Sequence, residues 1–79
     1  SPNPANDQLT VRGSIDGTAT LMFDVLTLEG KLAQRTTGSA RGAFAQRIDV
    51  HELTAGGYAL RVYDAKGLAV GTARFTIDR

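Results

Sequence analysis

Leu53-Thr54-Ala55-Gly56-Gly57-Tyr58-Ala59-Leu60-Arg61-Val62 sets a leucine and a glycine pair directly before a strict alternation of large apolar side chains with others. Period two places Tyr58, Leu60 and Val62 on one face of a β-strand and Ala59, Arg61 and Tyr63 on the other. The residues before the strand have the composition of a crossover corner. Leu53 is expected to plug the core, Gly56 or Gly57 to take a positive φ that a branched residue resists, and Tyr58 to start the strand. The Tyr58 ring would then pack inward while its hydroxyl bonds a backbone group upstream.

Working outward, the same spacing recurs on both sides. Leu21, Phe23 and Val25 alternate with Thr20, Met22 and Asp24; Phe44, Ile48 and Val50 alternate with Ala45, Arg47 and Asp49; Phe75 and Ile77 alternate with Arg74, Thr76 and Asp78. Turn residues punctuate these runs at Asp16-Gly17, Glu29-Gly30, Gly38-Ser39, Gly56-Gly57 and Asp64-Ala65-Lys66-Gly67. Strands are expected near 8 to 13, 18 to 27, 31 to 37, 42 to 50, 57 to 64 and 68 to 77. Six to seven short strands and no convincing helix predict an all-β antiparallel β-sandwich, and Tyr58 would sit as in the tyrosine corner of immunoglobulin-like sandwiches. The helix candidate Val50-His51-Glu52-Leu53 is at most one turn. Residues 1–7, with Pro2, Asn3 and Pro4 and no large apolar side chain, read as the end of a linker, which leaves 8–79 as the domain.

The chain has 79 residues, a net charge of +1 and no cysteine, so it is one small domain without a disulfide staple or thiolate metal site. Folding such a chain buries only about 60% of its surface, so packing and backbone pairing must supply the stability. The balanced charge does not suggest a nucleic-acid surface, and no apolar run is long enough for a membrane span. His51 is the only histidine, and the carboxylates of Asp16, Asp24, Asp49, Glu52 and Asp64 follow no calcium-loop spacing. No metal or cofactor is expected. Neither Ser14 nor Ser39 has the flanking residues of a nucleophile elbow, so no catalytic constellation is expected either. Glu29-Gly30-Lys31 and Asp64 to Gly67 fit hairpin turns better than a phosphate cradle, because no helix follows them. Arg12, Arg35, Arg47, Arg61 and Arg74 fall mostly on outward faces, where they solvate and protect a sheet or meet an anionic partner.

Read in order, the whole chain resembles the C-terminal sorting domain carried by cargo of the type IX secretion system of Bacteroidetes-type bacteria. Pro2-Asn3-Pro4 before the strand Gln8-Leu9-Thr10-Val11 is similar to that family's opening. Gly30-Lys31-Leu32-Ala33 is similar to its middle turn, Leu53 to Tyr58 running into Leu60-Arg61-Val62 to its late signature, and Thr72 to Ile77 to its terminal strand. Thr27 stands where the family usually has Asp, and the final Asp78-Arg79 is more acidic than the family's usual end.

The resemblance implies a signal rather than a reaction. It implies an immunoglobulin-like tag that carries a covalently linked N-terminal passenger through the periplasm to the cell surface or the extracellular space. Its partners would be the outer-membrane translocon with its shuttle proteins, and a sortase-like peptidase that removes the tag. By resemblance, recognition falls on Leu53, Gly56 and Tyr58 of the corner and on Arg74, Phe75, Ile77 and Arg79 of the terminal strand. Pro2, Asn3, Pro4, Gly30, Lys31, Gly57, Asp64 and Gly67 would serve as structural motif positions. The rival reading is an accessory immunoglobulin-like or fibronectin-type module that spaces or binds beside a secreted surface enzyme. It accounts for the corner and the strands, but not for the Pro-Asn-Pro opening or a chain that stops after its last strand. Carbohydrate binding would want exposed aromatics, and only Tyr63 is expected outward.

Overall fold

In a computed structural model of the chain, which describes residues 7–78, the alternating runs are strands: β1 (Gln8–Thr27), β2 (Leu32–Asp49), β3 (Gly56–Tyr63) and β4 (Ala69–Ile77). All pair antiparallel in one open sheet of order β2-β1-β3-β4. The all-β antiparallel expectation therefore holds. Pro2, Asn3, Pro4 and Arg79 lie outside the described residues.

The expected six to seven strands are four, because β1 and β2 each join two segments that the sequence divides. Asp16-Gly17 is not a reversal but part of a bulge. Residues 15 to 17 of β1 lie between the pairs Ser14↔Ala43 and Thr18↔Arg41, so they face Gly42 alone. Gly17 and Gly42 take positive φ there, 75° and 58°. Gly38-Ser39, the other expected turn, runs straight through β2 opposite Leu21 and Thr20. Glycine and aspartate favour turns and bulges alike, so composition does not separate the two.

The bulge lets the long hairpin fold over itself. A flat strand of β1's length would reach about 66 Å, whereas the longest dimension of the molecule is 37 Å. Gln34 Nε2 donates to the Asp49 carbonyl at 2.6 Å, although both belong to β2 and would be about 50 Å apart in an extended ribbon. The rings of Phe23 and Phe44 meet edge to face at 6.2 Å. The two separate sheets of a sandwich are thus replaced by one continuous sheet that closes over its own core.

That core is assembled from both halves of the hairpin. Leu9 and Ile48 come from the folded-over half, and Leu21, Phe23, Val25, Leu60, Phe75 and Ile77 from the rest of the sheet; all are buried. Each such side chain contributes about 1.5–3 kcal/mol of burial free energy. The expected inward phase of β1, β3 and β4 is the observed one. The Val50 to Leu53 segment is a turn rather than a helix, with Leu53 N–H donating to Val50 O at 3.0 Å.

Candidate functional site

The corner before β3 has the predicted construction. Tyr58 is 7% exposed, and its ring stacks on that of Phe75 with centroids 5.8 Å apart. Its hydroxyl donates to the Thr54 carbonyl at 2.8 Å, closing the corner upstream, and also lies 3.2 Å from Thr54 Oγ1. Leu53 packs half-buried against the core rather than plugging it fully. The two glycines divide the work. Gly56 takes the positive φ, 143°, while Gly57 gives close approach: a Cβ there would stand 3.0 Å from Leu28 Cδ1.

Through Leu28 the corner meets the turn that joins β1 to β2. Thr27 N–H donates to Lys31 O and Gly30 N–H to Thr27 O, with Gly30 at φ 92°. Thr27 replaces the acidic residue expected there, and its Oγ1 accepts a bond from Lys31 N–H at 3.2 Å. The β3–β4 turn repeats this design. Asp64 N–H donates to Leu68 O, Gly67 N–H donates to Asp64 O, and Gly67 is at φ 84°. Asp64 Oδ1 accepts from Lys66 and Leu68 N–H groups, each at 2.9 Å. Both are three-residue hairpin loops with glycine in the left-handed position.

The fold brings most of the nominated residues to one end of the sheet. Thr27 pairs with Tyr58, Tyr58 with Phe75, and Gly56 with Ile77, so the corner, the Gly30-Lys31 turn and the end of β4 form one neighbourhood. Asp64 and Gly67 lie at the opposite end, beyond the Tyr63↔Ala69 pair, about 23 Å along the strand. Arg74 is exposed on β4, whereas Phe75 and Ile77 are 2% and 1% exposed. On this strand Arg74 faces solvent, while Phe75 and Ile77 hold the strand to the core. Among the described residues β4 has β3 as its one strand neighbour.

One ion pair escaped the sequence reading. Asp24 lies in the outward phase of β1 yet is 4% exposed, and its two oxygens accept from Arg35 Nε at 2.7 Å and Nη2 at 2.9 Å. The carboxylate holds Arg35 protonated beyond its ordinary range, first by these hydrogen bonds and then by its charge. A bulge between Val25 and Leu26 shifts the hairpin register by one residue and sets Arg35 opposite Asp24. Counting back evenly from the turn would have chosen Gln34. His51 Nδ1 lies 2.6 Å from Asp49 Oδ1, and this bond, with the same carboxylate's charge, raises the imidazole pKa.

Among the described residues no group of three His, Asp or Glu side chains could hold a metal ion. A concavity of ≈190 Å³ between residues 11–15 and 70–73 has Arg12 as its one ionisable side chain, so it presents no acid–base pair. Among the described residues no helix is long and apolar enough to cross a membrane. No curated protein and no solved structure matches the chain. Residues 2–77 match the family described as the secretion system C-terminal sorting domain. With residues 2–77 of its 79 matched, the chain belongs to this family of type IX secretion sorting domains.

Proposed function

We propose that this domain directs an N-terminal passenger through the periplasm and across the outer membrane, to the cell surface or beyond. The translocon and its shuttle proteins read it as a folded tag, and a sortase-like peptidase then removes it. The observation that carries this reading is the family match over residues 2–77. The local geometry supports it. The corner residues Leu53, Gly56 and Tyr58 adjoin β4, whose Arg74 is exposed, and Phe75 and Ile77 anchor that strand; Arg79 follows it in the sequence. A rigid surface presents its epitope without an ordering cost at each encounter. An edge strand with a basic side chain suits recognition by strand addition. On this reading the domain is a signal and performs no reaction of its own.

The test is a reporter joined to residues 1–79 in a type IX host, compared with the reporter alone. The fusion is expected outside the cell and shortened by roughly the mass of the domain. Equal export of both reporters would overturn the proposal.

A further inference from the structure

The outer face of β3 and β4, away from the core, carries an unbalanced charge pattern. Arg61 stands opposite Asp24, but both Asp24 oxygens already accept from Arg35. Arg61 and Arg74 take part in no ion pair among the described residues. They are diagonal neighbours, since Arg61 pairs with Thr72 and Arg74 lies two residues further along β4. Both line a shallow depression of ≈250 Å³ that includes Thr72.

The geometry points to this strip as a docking site for an acidic extended polypeptide segment with carboxylates at alternate positions. The spacing favours that occupant. Diagonal positions on antiparallel strands are about 7–8 Å apart, and side chains two apart on an extended chain are about 6.6 Å apart. Two carboxylates of one such segment thus meet Arg61 and Arg74 without distortion, and each gains a charge-assisted bond. The Thr72 hydroxyl, beside both arginines, supplies a further donor. This inference concerns binding by the domain itself and does not depend on export.

The experiment titrates the full chain with a short peptide carrying Glu at alternate positions, followed by NMR shifts and calorimetry. Saturable binding with shifts centred on residues 61, 72 and 74 is expected. The R61E/R74E double variant should bind roughly tenfold or more weakly and should take the matching Lys peptide instead. R61Q/R74Q, which leaves the face neutral, serves as the second variant and should also lose the Glu peptide. Inorganic phosphate and phosphatidylglycerol vesicles form separate arms. Absence of saturable peptide binding, binding unchanged in both variants, or arginine-dependent binding of phosphate or vesicles in preference to the peptide would overturn the proposal.

Discussion

Tyr58 combines a packed ring with a polar corner bond, and substitution separates the two. Tyr58→Phe keeps the stack on Phe75 but removes the donor to the Thr54 carbonyl, which should cost about 1 kcal/mol. Tyr58→Ala removes the ring as well and should cost about 3–5 kcal/mol. Denaturant melts giving equal losses for both would contradict the corner bond. The adjacent glycines make a second contrast. Gly56→Ala forces a side chain onto φ 143° and should cost about 1–3 kcal/mol. Gly57→Ala meets only Leu28, whose side chain is 67% exposed and can swing aside, so the loss should stay under about 1 kcal/mol. If Gly57→Ala melts lower, the division of labour is reversed. His51 adds a pH dependence of definite sign. Its folded pKa lies above the ordinary value of about 6.5, because the Asp49 carboxylate favours the imidazolium. The small stabilisation is therefore complete below the unfolded value and fades as pH rises through the folded one. NMR titration should show Asp49→Asn lowering the His51 midpoint, and an unmoved midpoint would exclude the pair.

At the level of elements, the decisive feature is the step where residues 15 to 17 of β1 face Gly42 of β2. Gly42 has open space around its α-carbon but a φ of 58°, so a side chain there is resisted by the backbone alone. Gly42→Val should cost about 1–2 kcal/mol or more, because the left-handed region excludes branched residues. It should also weaken the Phe23–Phe44 contact, since that contact exists only while the hairpin is folded over. A variant with native stability and an intact inter-ring NOE would show that the bend does not need this backbone conformation. The same step marks the boundary of what the sequence discloses. Alternation assigned Leu21, Phe23, Val25, Leu60, Val62, Phe75 and Ile77 to the core because it reports which face is buried, and burial on one face is what the pattern is selected for. It is silent on whether the chain reverses or merely bends at a glycine, so two long strands were read as four. The corner was legible because Leu, Gly, Gly and Tyr each answer a distinct local demand. Asp24 was not, because its pairing with Arg35 depends on a one-residue register shift that no single segment encodes.

For the whole molecule, the end of β4 joins stability to the proposed recognition, and the two can be pulled apart. Phe75 and Ile77 are 2% and 1% exposed, so deleting the chain from residue 74 onward removes two core side chains along with any surface signal. Losses of about 3–5 kcal/mol for Phe and 2–5 for Ile together rival the whole margin of about 5–15 kcal/mol for a small domain. Failed export after such a truncation would therefore report unfolding as readily as lost recognition. Point variants do better. Phe75→Ala should lower the melting temperature sharply and abolish export of a fused reporter, whereas Arg74→Glu changes an exposed side chain and should leave the melt within about 0.5 kcal/mol of native. If the translocon reads the folded face through Arg74, Arg74→Glu loses export while staying folded. If it needs only an intact fold, export follows the melt across both variants and Arg74→Glu is exported normally, which would remove Arg74 from the signal.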